Sequence, residues 1–148
     1  MKLVESTSPI IRTKTVDVTE AELPLIQNSL GLMWQVMLAN NGVGLASSQV
    51  GMLQKFFIHN CNDTRSMEVV INPVIKSASK DKNKFTEGCL SLPGKQIDID
   101  RSNEIVVKYK DIKFNEREEL MHNYRARVFQ HEIDHLNGIC IDIRQVIG

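Results

Sequence analysis

Apolar residues recur at Leu23, Ile26, Leu30, Met33, Trp34, Met37 and Leu38. This is the three-and-four spacing of a helix of about four turns with one face turned inward, and it makes Met33, Trp34 and Met37 core residues. Thr19 and Glu22 have the spacing of a capping box, but a helix begun there would carry Pro24 in its interior. The start therefore belongs near Leu23, with Pro24 in the first turn, and Asn40-Asn41-Gly42 supplies the stop. Residues 1–18 mix small polar and β-branched side chains around Pro9 and read as an extended arm with a loose start.

Beyond the helix the pattern changes to short runs. Residues 42–51 are poor in charge and rich in small side chains, a tight connection. Residues 55–59 and 67–71 are β-branched or aromatic and are divided by a turn-forming stretch at 60–64. Asn72-Pro73 interrupts the second run and Val74-Ile75 resumes it, while 77–84 is a polar, Lys-rich loop. Residues 104–110 alternate, and 112–120 can return beside them as a hairpin around Asp111. Asn123 is placed to cap a helix over 124–136 that ends at Asn137-Gly138, with Ala126, Val128, Phe129, His131, Ile133, His135 and Leu136 mostly inward. The order predicts an α+β fold: a central helix near the C-terminus surrounded by small antiparallel sheets, with an amphipathic helix ahead of them.

Composition narrows this picture without redirecting it. The 148 residues suit one domain, 1–148. Eighteen basic residues against eighteen acidic ones leave no general field for nucleic acid or an anionic membrane. No apolar run approaches a membrane span, and the N-terminus lacks the layout of a signal peptide. Cys61, Cys89 and Cys140 are an odd number without framework spacing, which points to a reducing compartment.

The chemistry lies in Gln130-His131-Glu132-Ile133-Asp134-His135-Leu136-Asn137-Gly138. On a helix, imidazoles four residues apart share one face and can bind one metal ion, and Glu132 beside the first can act as base toward an activated water. A surface helix with two incidental histidines is the alternative until a third ligand is found. Ile141 stands where an HExxHxxGxxH motif would place its last His, and Asp142 is the only downstream acid. The search therefore turns upstream, where Cys89 in Glu87-Gly88-Cys89-Leu90-Ser91-Leu92-Pro93-Gly94 is the best candidate. Gln49 can donate from a neutral amide to an oxygen that becomes negative, and Gly44 lets a ligand backbone come close. His59 and His122 read as ordinary polar positions.

Gly42-Val43-Gly44-Leu45-Ala46-Ser47-Ser48-Gln49, then EGCLS at 87–91 and QHEIDHLNG at 130–138, resemble the three signature motifs of the peptide deformylases, in order. The resemblance runs from about residue 24 to the C-terminus. It implies hydrolysis of the formyl group from the formyl-methionine of nascent polypeptides, with release of formate. It also implies one divalent metal, Fe2+ natively with Zn2+ or Ni2+ as substitutes, on Cys89, His131 and His135. Glu132 would move the proton, and Gln49 with the Leu90 N–H would hold the oxyanion. The peptide would lie as an added strand near Gly44 and Gly88, its methionine side chain among Val43, Phe85, Leu90, Tyr124, Arg127 and Val128. The stem of Arg127 would wall that pocket while its charge met solvent or peptide. Glu87 and Arg101 are either a pair orienting the Cys89 loop or a plain surface ion pair.

The partners implied are formyl-methionyl peptides and nascent chains at the ribosome, with neither nucleic acid nor membrane, for a monomer in the cytoplasm, in a host cytoplasm if viral, or in an organelle if eukaryotic. The chain ends at Gly148 and is expected to be a short form without the further C-terminal helix of many members, so roles of that helix do not transfer. The rival readings are a metallopeptidase cleaving internal bonds and a binding module whose metal only braces the fold.

Overall fold

The computed structural model describes residues 1–147; Gly148 lies outside the described residues. Helix α1 spans Leu23–Ala39 and buries Ile26, Ser29, Met33 and Met37. Both start signals are used in turn. Glu20–Glu22 forms a 3₁₀ turn in which the Thr19 N–H donates to Glu22 Oε1 (2.9 Å), and α1 follows with Pro24 in its first turn, where no hydrogen bond is lost. Leu38, expected inward, is half exposed, because it lies about 100° round the helix from the buried Met37.

Five strands form an antiparallel sheet in the order β1-β2-β3-β6-β7: β1 Gly44–Ala46, β2 Phe56–His59, β3 Glu68–Ala78, β6 Glu104–Lys110 and β7 Glu116–His122. Period-two alternation in β2 assigns the two faces. Phe57 points to a core shared with helix α2, Asn123–Leu136, through Ala126, Phe129, Ile133 and Leu136. Phe56 and Ile58 point to a core shared with α1 through Ile26, Met33 and Met37. The sheet thus separates the two helices.

A two-stranded sheet, β4 Lys82–Cys89 with β5 Leu92–Ser102, stands beside the end of α2. The short helix α3, Ile141–Ile147, packs on it, and Ile11, Cys89, Leu92, Ile99, Cys140 and Ile141 form a third cluster.

Two expectations need correction, at 77–84 and at Asn123, and one strand was not foreseen. The loop placed at 77–84 shrinks to the turn at 79–81 between β3 and β4, because the polar β4 belongs to a surface hairpin and buries little of its length. Strand β5 was not foreseen. As expected, Asn72-Pro73 interrupts the pairing, which resumes at Val74 and Ile75; the interruption is a register shift within β3, where Asn72 takes φ 52° and its side chain bonds both the N–H and the C=O of Val18 (2.8 and 2.9 Å). Asn123 does not cap α2 with its side chain: it is the first helical residue, at φ 50°, and β7 runs straight into the helix.

The N-terminal arm is also held more firmly than its composition implies. The Val4 N–H donates to Gln49 O (2.8 Å), Ile11 is fully buried, and the Thr15 N–H and hydroxyl both donate to Leu136 O (2.8 Å each). Among the described residues no helix is long and apolar enough to cross a membrane.

Candidate metal centre and peptide groove

His131 and His135 lie one turn apart on α2 with ring centroids 4.9 Å apart. Cys89 is the last residue of β4, at the point where the β4–β5 pairing jumps from Gly88↔Gln96 to Cys89↔Leu92. That irregularity re-aims the side chain toward the helix. The donor atoms of Cys89, His131 and His135 lie within 4.8 Å of one another, with Cys89 Sγ 3.4 Å from His135 Nε2. One thiol and two imidazoles at this separation fit a tetrahedral cation with its fourth position open. Without a cation, the hydrogen bond with Cys140 and burial push the Cys89 thiol well above its ordinary range, so binding a metal there releases a proton.

Behind His131 stands a buried carboxylate. Glu87 Oε1 accepts from His131 Nδ1 (2.8 Å), and Arg101 grips both Glu87 oxygens (2.7 and 2.9 Å). Burial acts to raise Glu87, but the hydrogen bonds from His131 and Arg101 outweigh it and hold the group ionised. The Glu87–Arg101 pair is therefore a buried orienting pair and not a surface one. Arg101 also bonds Asp134 (2.8 Å), which is gripped in turn by Arg144 of α3 (2.6 and 2.9 Å). Asp134 and Arg144 were not singled out in the sequence, although Asp134 lies inside the HExxH motif.

Glu132 is 4% exposed, and its Oε1 has no hydrogen-bond partner among the described residues. Burial pushes its carboxyl up to about 7, the range in which a carboxylate can both take and return a proton near neutral pH. An orphaned carboxylate oxygen beside three metal donors fits a site that works on a water or substrate atom. Gly44 has a reason beyond the one read from sequence, since a Cβ there would meet Glu132 Oε2 at 2.6 Å. Gln49, on the 3₁₀ turn Ser47–Val50, is oriented at both ends: Oε1 accepts from the Ala46 N–H (3.0 Å) and Nε2 donates to Ser91 Oγ (3.1 Å), 3.9 Å from Cys89 Sγ.

These residues open onto a cavity of about 860 Å³ whose walls include Val43, Gly44, Gln49, Gly88, Leu90, Tyr124, Arg127 and Val128. Two pocket expectations change. Phe85 is not among the lining residues; it is 60% exposed and lies over the Arg127 guanidinium, 5.2 Å from it. The charge of Arg127 is not turned to solvent: Arg127 is buried, and its guanidinium is held by Glu87, Ile99 O (3.1 Å) and Asn83 O (2.7 Å). Outside the site, His122 is an exposed partner of Glu104 (3.1 Å), whereas His59 is buried against Phe57 and Phe129.

The family model described as polypeptide deformylase matches residues 1–145. A peptide deformylase of Finegoldia magna is 37% identical over 131 residues, covering 88% of this chain and 80% of that protein. One of Thermotoga neapolitana is 39% identical over 133 residues, covering 90% and 79%. The crystal structure of peptide deformylase from Thermotoga maritima superposes with a TM-score of 0.90 at 37% identity, covering 96% of this chain and 95% of that one. A probable peptide deformylase from Synechococcus phage S-SSM7 gives 0.88 at 28% identity, covering 95% and 97%. With the match spanning nearly the whole chain, the protein belongs to the peptide deformylase family of metal-dependent hydrolases, which remove the formyl group from N-terminal formylmethionine.

Proposed function

We propose that Cys89, His131 and His135 hold a single divalent metal ion, Fe2+ natively with Zn2+ or Ni2+ as substitutes, and that residues 1–148 act as one catalytic domain. The observation that carries this reading is the unpartnered, buried Glu132 carboxylate beside three donor atoms within 4.8 Å. The family resemblance carries the choice of iron. When bound, the metal supplies Lewis acidity and a water of lowered pKa.

The protein's own groups do the rest. Glu132 takes a proton from the attacking water and returns one to the leaving amine, so that the formamide is cleaved to formate and a free N-terminus. Gln49 Nε2 and the Leu90 N–H donate to the oxygen that becomes negative; because Ala46 and Ser91 already orient the Gln49 amide, little reorganisation is needed at that moment. Glu87 fixes His131 with its proton on Nδ1.

A peptide lies as an added strand along Gly44 and Gly88, its methionine side chain against Val43, Leu90, Tyr124, Val128 and the stem of Arg127. Two solved relatives support a peptide-like occupant: an Acinetobacter baumannii peptide deformylase bound to Met-Ala-Ser, and a Synechococcus elongatus one in complex with actinonin. The natural substrates would be nascent chains at the ribosome, met by a monomer in the cytoplasm.

Metal analysis of anaerobically purified protein, coupled to assays on formyl-, acetyl- and internal-bond Met-Ala-Ser substrates, tests the proposal. One metal per chain and turnover of the formyl peptide alone are expected. Cleavage of the internal bond, or formyl turnover without metal, would contradict it.

A further inference from the structure

Helix α3 lines no part of the groove, yet Cys140 just ahead of it stands behind His135, and Arg144 in its middle connects to His131 through other side chains. Cys140 precedes the helix, its C=O accepting from the Ile143 and Arg144 N–H groups (3.1 and 3.0 Å), and it is 1% exposed. Its Sγ lies 3.8 Å from His135 Nδ1, the ring nitrogen opposite the one that faces Cys89. Among the described residues no other side chain bonds that nitrogen. Arg144 grips both oxygens of Asp134, Asp134 shares Arg101 with Glu87, and Glu87 Oε1 lies 2.8 Å from His131 Nδ1.

An imidazole that offers Nε2 to a metal carries its proton on Nδ1, and that proton needs an acceptor to fix tautomer and ring angle. Resting on the ligand reading above, we propose that α3 positions both imidazoles. Cys140 accepts from His135 Nδ1–H, and Arg144 is the far end of the ionic chain that holds His131. The two arms differ in strength. A thiol sulfur is a weak acceptor and a carboxylate a strong one, so His135 is the less firmly held ligand. Removing Arg144 leaves Asp134 with Arg101 as its remaining guanidinium partner, drawing Arg101 away from Glu87 and loosening His131. Cys140 and Arg144 are positioning residues; neither touches the groove.

The test is a chelator-competition titration of Zn2+ on the full chain, with Cys89→Ala, Cys140→Val, Cys140→Ser, Arg144→Met and Arg12→Met compared with the unaltered protein. Cys140→Val and Arg144→Met are each expected to weaken binding about tenfold or more. Their combination should approach the product, because Arg144 acts on His131 while Cys140 acts on His135 and on the Cys89 thiol it contacts. Cys140→Ser keeps an acceptor and should recover most of the loss. Arg12→Met cuts the paired Arg12–Asp142 contact (2.8 and 3.0 Å) that tethers the same helix, and should leave affinity unchanged.

With Co2+ in place of Zn2+, the thiolate and ligand-field absorption bands should shift in Cys140→Val and not in Cys140→Ser. Cys89→Ala separates the two levels: if it binds Zn2+ as the unaltered protein does, the ligand reading itself fails. If Cys89→Ala loses the metal while Cys140→Val and Arg144→Met bind normally, the role of α3 is overturned. The same holds if Arg12→Met weakens binding as much as Arg144→Met, since general loosening of the helix would then explain both.

Discussion

The protonation behaviour proposed for Glu132 comes from its surroundings. The same carboxyl on an exposed helix face would titrate near 4.3, while burial here brings it to about 7. Gly44 is what leaves it room. Gly44→Ala puts a methyl 2.6 Å from Glu132 Oε2 and 2.9 Å from its Cδ, so the carboxylate must turn out of line. The expected result is retained metal with kcat reduced on the order of 10²-fold, the scale of a lost general base; unchanged kcat would show that the carboxylate has slack. Gln49→Leu removes the proposed side-chain donor to the oxyanion. It should cost about 10²–10³-fold in kcat, with little change in metal content, measured on formyl-Met-Ala-Ser.

At the scale of elements, helix α1 carries a stability test free of the site. Gly31 sits in mid-helix, and a Cβ there meets nothing within 4 Å. Gly31→Ala should therefore stabilise the fold by roughly 0.5–1 kcal/mol with activity unchanged, read from denaturant unfolding; a loss of stability would mean that the helix face is less open than it looks.

The same helix shows how much the sequence discloses. Its three-and-four spacing, its Pro24 start and its Asn-Gly stop were all legible, because each is a local rule. Strand β5 was not read, although Ile97 and Ile99 alternate with Asp98 and Asp100. The third inward position is Arg101, whose burial depends on Glu87 and Asp134 from two other elements. Cys89, His131 and His135 were legible as types at a spacing. The clamp behind them was legible only in part: Glu87 and Arg101 could be named as a pair, but nothing local joins Asp134 and Arg144 to them until the fold does. Phe85 was misplaced for a related reason: motif position fixes the backbone, and here the side chain turns outward over Arg127.

At the scale of the whole molecule, the burial of His59 has a measurable consequence. His59 is 1% exposed, and burial, opposed by Glu68 and helped by Arg125, pushes it down to about 4. An unfolded histidine titrates near 6.5, so the folded protein binds the proton more weakly than the unfolded chain. The stability this contributes is fully present above about pH 6.5 and is lost as the pH falls through about 4, on the order of 3 kcal/mol in all. Urea unfolding of metal-free protein should show that loss, and His59→Gln should show a correspondingly flatter profile between pH 6.5 and 4. Parallel profiles would mean that folding leaves the proton affinity of His59 unchanged.

In the proposed reacting centre α2 and β4 bring together Cys89, His131 and His135 to hold a metal, with Glu132 carrying the proton. Glu132→Gln tests it most directly, because the amide keeps the shape and leaves all three donors in place. Metal content, binding of formyl-Met-Ala-Ser and kcat would be measured on the same preparation. One metal per chain, binding within a few-fold of normal, and a kcat lower by about 10²–10⁴-fold are expected. A Glu132→Gln protein that keeps its metal and deformylates at a near-normal rate would contradict that expectation.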